Sequence, residues 1–568
     1  MTPSAAPVHT AASELLDRHR PTLDGAAAAI LTREWFSAYS EIPKTYGEDA
    51  GQAGKQAFDA HLGARFAIDQ PSTGKWVGAE RSPYGFDLEV NYPQADLDSV
   101  LQAASDATPA WRAAGADGRI GVLLEILARI NARSHELAYA VMHTTGQAFP
   151  MAFQAGGPHA QERALETLAY ARLAMATVPA EALWEKPQGK RPPLRMNKRF
   201  TVTGRGVGLV IGCSTFPTWN SYPGIFASLA TGNPVIVKPA RGAVLPLAIT
   251  VQIAREVLAE SGFSPNLVTL AVEAPGELLA GTLARRPEVR LIDYTGSSTF
   301  GDWLEREATH AVVFTEKAGI NGVVIDSTDD YKGMLQNLAF TLSLYSGQMC
   351  TTTQNLYLPR GGIATDEGPK SFDEVGSDLA AAVDGFLADP ARAAGVLGAI
   401  VNADIVARVE SAGTLGRTVL ASKTLTHPEY ADATMRTPAL IAVDGVSDPA
   451  VAREHFGPVT LLVPTDDTTA SLEALRRSAL QHGAMTAGIY STDQDVLRAA
   501  DEVAVDAGVA LSENLTGGVF VNQSAAYSDY HGTGLNPAAN ASLTDLAFVT
   551  PRFHVVQSRR HIAEESSA

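Results

Sequence analysis

The sequence predicts an α/β fold with parallel sheets and helices on both faces, and three observations carry that prediction. From about residue 201, apolar runs of strand length alternate with helical stretches: TVTGRGVGLVIG, SYPGIFASLATG, NPVIVKP, VLPLAITVQIAREVLAES, LVTLAV and VRLIDYTGSS. A second alternation begins near 317 with NGVVID and continues through YKGMLQNLAFTLSLYS, NLYLP, REHFGPVTLLVP and GGVFVNQ. At 568 residues and 45% apolar content the chain can fill more than one core. Strand–helix–strand repetition implies βα units.

The remaining elements follow from local pattern. Residues 1–90 hold the apolar positions Leu15 and Leu16 and the run 26–31, then the Pro/Gly-punctuated STGKWVGAERSPYG. They read as a helical extension leading into turns and short strands. From about 94 to 175 the pattern is helical: Ile120, Leu123, Leu124, Leu127 and Ile130 recur at helix spacing, as do Leu165, Leu168 and Leu173, and these stripes read as core. WEKPQGKRPPLRMNKRF is basic and Pro-rich and cannot continue a helix. The expected segments are 1–90 as an extension, 91–315 around the first alternation, 316–525 around the second, and a closing segment 526–568.

Composition excludes several classes. A net charge of −18 argues against a nucleic-acid binder, which needs a basic face. Two cysteines, Cys213 and Cys350, make a disulfide framework unlikely to be present and point to a reducing compartment. MTPSAAPVHTAASELLDRHRP lacks a basic start followed by an apolar run, and no stretch approaches the ~20 apolar residues of a membrane span. The expectation is a cytoplasmic protein without membrane or nucleic-acid partners.

Two residues stand out chemically. Cys350, in SGQMCTTT, sits between a helix and a strand, where backbone N–H groups can lower a thiol pKa. Glu316 follows the strand AVVFT, and a carboxylate ending a buried strand can be a general base with a raised pKa. Taken singly, such residues are more often packing or solvated groups. Cys213, in VIGCSTFP, reads as packing. RGVG (205–208) and TGSSTFG (295–301) are weak phosphate-binding signals, and neither is a G-x-G-x-x-G fingerprint. No H-E-x-x-H occurs and the 13 histidines show no tight spacing with the cysteines, so no metal site is expected.

As an ordered set these pieces become specific. FP…ATGNPVIVKPA, YTGSSTFG, TEKAG, SGQMC and EHFGP, in this order over roughly 94–525, resemble the aldehyde dehydrogenase superfamily. The long N-terminal extension, GCSTFPTWN, TEKAG and the GTGLN tail are similar to its phenylacetic acid degradation (PaaN) branch. The resemblance implies a Rossmann-type cofactor domain, an α/β catalytic domain and a small oligomerisation hairpin, here about 185–204, pairing with a C-terminal strand at about 541–557. It makes Cys350 the nucleophile and Glu316 the general base. Lys238 matches the lysine that contacts the adenosine ribose. Gly296 and Ser297 match the turn near the pyrophosphate, and Glu454 the carboxylate that holds the nicotinamide ribose, with Phe456 beside it.

The chain departs from the family at two points. Thr215 stands where the family's N-F-P asparagine helps stabilise the oxyanion, and Asn220 can substitute only if the turn is rebuilt. Ile320 replaces the lysine that follows E-x-x-G. Arg241, three residues after Lys238, occupies the position facing the adenosine 2′ oxygen, which implies NADP as cofactor with NAD as the alternative. The function implied is NAD(P)-dependent oxidation of an aldehyde to a carboxylic acid through a cysteine thioester. The aldehyde implied is the coenzyme A-linked semialdehyde released when oxepin-coenzyme A is opened, with a separate enoyl-CoA hydratase as pathway partner and the chain itself a homo-oligomer. The alternatives are a coenzyme A-acylating dehydrogenase or acyl-CoA reductase, and a non-catalytic protein of the same fold.

Overall fold

The computed structural model describes residues 6–317, 319–521 and 526–563, with side chains from residue 12 onward. The first alternation forms a five-stranded parallel sheet in the order Val268–Leu270, Val235–Lys238, Val207–Ile211, Val289–Gly296, Val312–Lys317. Numbered along the chain this is 3-2-1-4-5, the order of a doubly wound nucleotide-binding sheet. The order reverses between Val207–Ile211 and Val289–Gly296. A crevice therefore opens where the chain leaves their carboxyl ends, at Gly212 and at Gly296.

The second alternation forms a seven-stranded sheet in the order Arg417–Leu420, Ala439–Ala442, Val459–Thr465, Thr353–Pro359, Asn321–Ile325, Thr486–Tyr490, Ala510–Glu513. All pairs are parallel except Arg417–Leu420 against Ala439–Ala442. Central strands such as Thr353–Pro359 and Val459–Thr465 are buried along their whole length, and the polar side chains this buries are hydrogen-bonded, Gln354 to Arg453 O and Asn355 to Val451 O.

The crossing between sheets corrects the boundary drawn at 315/316. Glu316 and Lys317 pair in register with Thr295 and Gly296, so both belong to the first sheet and the second begins at Asn321. GGVFVNQ is also corrected. Residues 517–521 form a turn, with Asn522 and Gln523 outside the described residues. The Val519 carbonyl accepts from Asn337 Nδ2 at 2.6 Å, and Phe520 stacks on Phe340 at 4.0 Å. The Phe520 ring and the Val519 carbonyl thus fasten a loop to a helix, while the Val519 side chain is exposed, and no strand forms here. The edge strand is Ala510–Glu513.

The helical stripe at Ile120, Leu123, Leu124, Leu127 and Ile130 is core, as are Leu165 and Leu168, whereas Leu173 is 37% exposed. The basic Pro-rich segment forms the hairpin Glu181–Gln188 and Arg191–Gly204. Its third strand is Phe553–His561, a later register than 541–557. Residues before it lie against the first sheet instead. There Arg552, with no exposure, donates to Asp293 at 2.8 and 2.5 Å from its two terminal nitrogens and lies over the rings of Phe314 and Phe548.

Candidate active site

One cavity of about 1190 Å³ runs along the carboxyl ends of the first sheet to the second domain. Its walls include Thr215, Asn220, Lys238, Arg241, Gly296, Ser297, Glu316, Cys350, Glu454 and Phe456, so every candidate residue drawn from the sequence faces the same space. Of the two weak phosphate signals, only TGSSTFG reaches it. Gly208 lies within a buried strand, with its Cα packed near Ser228.

Cys350 is lifted into the cavity by a strained turn. Helix Tyr331–Ser343 ends, and Tyr345, Ser346 and Gly347 follow with φ of 52°, 48° and 65°. Left-handed backbone is costly at Tyr and Ser, so it persists only where surrounding contacts fix it. Here the Tyr345 hydroxyl donates to the Thr145 carbonyl, and Ser346 Oγ donates to Leu397 O and Arg436 O at 3.1 and 3.2 Å. Gly347 cannot carry a side chain, because a Cβ there would lie 2.4 Å from Gly457 O. Gln348, fully buried, donates to Tyr345 O and Ala399 O and accepts from Val401 N–H. Asn321 Nδ2 donates to Cys350 O at 2.7 Å and Thr352 O at 2.9 Å.

Glu316, 4% exposed, is held on both oxygens. Asn220 Nδ2 donates to Oε2 at 2.9 Å, and His531 Nε2 lies 3.0 Å from Oε1. The same His531 nitrogen lies 3.7 Å from Cys350 Sγ, and the three reactive atoms of Glu316, Cys350 and His531 fall within 4.8 Å of one another. His531 is fixed by reciprocal backbone hydrogen bonds with Leu543 and by the edge of its ring contact with Trp219 at 4.5 Å. Nothing in sequence spacing announced this histidine, which lies 181 residues from Cys350; its neighbours GTGLN entered only as part of a family resemblance.

Two electrostatic expectations are corrected. Burial raises the Cys350 thiol well above its ordinary value, and the Glu316 charge adds to the effect, so backbone N–H groups do not dominate. For Glu316, burial acts upward, but the His531 charge and hydrogen bonds from His531, Cys350 and Asn220 outweigh it and hold the carboxyl below its usual range. It is therefore a carboxylate kept ionised, not one poised by a raised pKa.

The structure separates the two oxyanion candidates. A helix starts at Pro217, immediately after the Phe216 turn, so Asn220 lies one turn in, buried, with its amide on Glu316. Thr215 Oγ1 faces Cys213 Sγ at 4.0 Å, and its carbonyl accepts from Gln147 at 2.7 Å. Cys213 also accepts from Phe216 N–H at 3.3 Å and donates to Asn220 Oδ1 at 3.5 Å, so it knits the turn together. Ile320 is buried and donates its N–H to Gly483 O.

At the far end, Lys238 pairs with Glu273 at 2.5 Å, and Arg241 Nε lies 3.5 Å from the same carboxylate. Glu273, which the sequence reading missed, follows the strand LVTLAV directly. The two cations thus share one carboxylate, and the Arg241 side chain remains 50% exposed. Trp303 and Phe300 stack at 5.2 Å in the same wall, with Arg285 over the Trp303 ring. Nearer the centre, Ser297 precedes helix Ser298–Glu307, whose N-terminus favours anions. Arg408 donates to the Phe456 carbonyl beside Glu454. Burial pushes the Glu454 carboxyl up to about 7 against the pull of Arg408. Cations and aromatic rings at one end, a helix terminus midway and a carboxyl before the thiol suit a nicotinamide dinucleotide.

A doubly wound sheet whose crevice leads to a cysteine and a buried carboxylate defines an NAD(P)-dependent oxidoreductase. The model of the aldehyde dehydrogenase family matches residues 90–529. The structure of an NAD-dependent aldehyde dehydrogenase from Burkholderia multivorans is 56% identical, superimposes with a TM-score of 0.95 and covers 97% of this chain and 99% of its own. An N-succinylglutamate 5-semialdehyde dehydrogenase from Paraburkholderia xenovorans is 27% identical over 446 residues, 77% of this chain and 82% of that protein. A vanillin dehydrogenase from Pseudomonas fluorescens is 26% identical over 78% of this chain and 84% of its own. The chain belongs to the aldehyde dehydrogenase family, and its activity is NAD(P)-dependent aldehyde oxidation. Among the described residues no helix is long and apolar enough to cross a membrane.

Proposed function

We propose that the chain oxidises its aldehyde to a free carboxylic acid through a thioester on Cys350, with Glu316 as the base for hydrolysis. The observation that carries this reading is the convergence of Cys350 Sγ and the ionised Glu316 carboxylate at one end of the cavity. The Cys350 thiolate adds to the aldehyde carbon, forming a C–S bond and an oxyanion. The Cys350 backbone N–H and the Thr215 hydroxyl are the donors assigned to it: the Thr215 hydroxyl makes a long 4.0 Å contact with Cys213 Sγ that an oxyanion would replace, whereas the Asn220 amide is oriented by Glu316. Lys238 and Arg241 would hold the adenosine end of the dinucleotide, Gly296 and Ser297 the pyrophosphate, and Glu454 with Phe456 the nicotinamide ribose. A bound nicotinamide would be the oxidant: the carbon's hydrogen would leave to it with the bonding pair as the oxyanion re-forms the C=O, leaving a thioester on Cys350. Glu316 then removes a proton from water, which attacks the thioester carbon, and the C–S bond breaks to free the acid.

The substrate we assign is the coenzyme A-linked semialdehyde from oxepin-coenzyme A ring opening, produced by a separate enoyl-CoA hydratase. The resemblance of the extension and of GCSTFPTWN supports this reading, and the semialdehyde named for one relative is a compatible class. NADP is the assigned cofactor, on the strength of the half-exposed Arg241. We assign homo-oligomerisation to the three-stranded sheet of 181–204 and 553–561, whose exposed apolar residues include Leu183, Val555 and Val556.

Product analysis with and without free coenzyme A tests the reaction. Free acid formed at the same rate in both conditions supports hydrolysis. Acyl-coenzyme A formed only when the thiol is added overturns it in favour of the acylating chemistry.

A further inference from the structure

The second nitrogen-bearing group at the nucleophile has no part in the chemistry described so far. His531 Nε2 faces both Cys350 Sγ, at 3.7 Å, and Glu316 Oε1, at 3.0 Å. A thiolate at Cys350 is otherwise opposed twice, by burial and by the neighbouring carboxylate. The titratable and charged groups around this corner, among the described residues, are Cys213, Glu316, Asp529, the pair Arg163–Glu166, and Arg33, which pairs with Glu166 at 3.3 Å and lies over the Tyr530 ring. Cys213 and the carboxylates cannot supply positive charge. Arg163 lies over the Trp219 ring at 5.3 Å, and His531 meets the same ring in an edge contact at 4.5 Å. Its terminal nitrogen donates to Glu166, Asp529 O and Leu543 O. An imidazolium is the cation this corner can create.

Resting on the reading of Cys350 as nucleophile, we propose that His531 is a further catalytic residue, which accepts the thiol proton of Cys350 and is held as imidazolium by Glu316. With the ring neutral and protonated on Nδ1, the Nε2 lone pair faces the Cys350 thiol at 3.7 Å and the Glu316 carboxylate at 3.0 Å, and the carboxylate's repulsion of that lone pair draws the thiol proton onto Nε2. The S–H bond breaks, an N–H bond forms at Nε2, and that N–H then lies between sulfur and carboxylate. No charge is created overall, because the proton only changes atoms. Glu316 remains ionised, so its role as base for water is not consumed in activating the nucleophile. The same imidazolium faces the sulfur when the C–S bond of the thioester breaks, so the thiolate leaves without needing a proton.

The position of His531 is built from both ends of the chain. Its loop is anchored by Tyr527, whose hydroxyl donates to Glu162 Oε2 at 2.8 Å, while Glu162 Oε1 accepts the N–H groups of Ala38 and Tyr39 at 2.6 and 2.8 Å. Arg33 lies over the Tyr530 ring at 4.0 Å. The N-terminal extension therefore braces the loop that presents this histidine.

The test is the pH dependence of iodoacetamide alkylation at Cys350 in the full-length enzyme, read peptide by peptide by mass spectrometry so that Cys213 is scored separately. In His531→Asn and His531→Gln the midpoint should move up by about one pH unit or more, with at least roughly tenfold slower alkylation at pH 7 and convergence with wild type at high pH. A purely structural role changes the melting temperature and leaves the midpoint in place. An unmoved midpoint in folded variants overturns the proposal. If neither variant folds, the wild-type profile decides. Alkylation that persists well below the ordinary thiol range, with two inflections, supports the pair, and a single inflection above about pH 9 overturns it. Turnover of Cys350→Ala separates the two readings: if it is unchanged the nucleophile assignment fails, whereas if it is lost while the His531 profiles are unmoved only the histidine's role fails.

Discussion

Asn220 donates its amide to Glu316 Oε2 at 2.9 Å, which turns an asparagine outside the family's usual position into a support for the base. A hydrogen bond to a charged group contributes about 1.5–3 kcal/mol, roughly ten- to a hundredfold in a rate that depends on it. Asn220→Ala should therefore slow steady-state turnover by about that factor while preserving the first-turnover burst of reduced cofactor. Stopped-flow absorbance at 340 nm reads both phases. A lost burst with Asn220→Ala would instead place the amide at the oxyanion, and the complementary expectation is that Thr215→Val lowers the burst rate.

Glu316→Gln retains shape and loses the base. It should give one equivalent of reduced cofactor per active site and then stall as acyl-enzyme. An unaffected steady-state rate would show that another group activates water.

The adenosine end makes a charge prediction. Arg241→Glu should shift the kcat/KM ratio from NADP toward NAD by roughly ten- to a hundredfold. Glu273→Gln acts in the opposite direction, because it frees Lys238 and Arg241 from the carboxylate they share. The NADP-to-NAD ratio of kcat/KM must rise in the order Arg241→Glu, wild type, Glu273→Gln.

Glu454 sets a stability window. Its carboxyl is raised to about 7 from 4.5, so the folded state keeps the proton that the unfolded state releases. Between these values stability falls as pH rises, because the unfolded chain binds fewer protons. Glu454→Gln removes that loss, and its melting temperature relative to wild type should climb between pH 5 and pH 8, by the equivalent of up to about 3 kcal/mol. A difference that stays constant with pH contradicts the assignment.

Much of this site was legible because the motifs lie where strands end. Lys238 and Gly296 each close a strand of the first sheet, Glu316 stands one residue before the end of another, and Cys350 precedes one of the second, so order along the chain maps onto one crevice. His531 was not legible, since its position depends on Leu543 pairing back on it and on bracing from Tyr527 and the extension. Glu273 was hidden for a similar reason: its meaning lies in the Lys238 ammonium on the neighbouring strand, 35 residues away. The misread strand at GGVFVNQ shows the limit of β-propensity, because Val519 and Phe520 find their partners on a helix.

The C-terminal segment provides an independent stability test. Arg552 is fully buried and meets Asp293 through two nitrogens. Arg552→Ala leaves that carboxylate without its partner and should cost about 3–5 kcal/mol in urea unfolding. A loss below about 1 kcal/mol would mean that the pair does not anchor the segment.

The central claim is that the reaction passes through a covalent acyl group on Cys350. Its most direct test is peptide mass spectrometry of Glu316→Gln after mixing with aldehyde and NADP, quenched in acid once the burst is complete. The expected result is an acyl adduct on the Cys350 peptide, close to one per chain, absent without cofactor and absent in Cys350→Ala. No adduct after a full burst of reduced cofactor, or an adduct on Cys213, would contradict it.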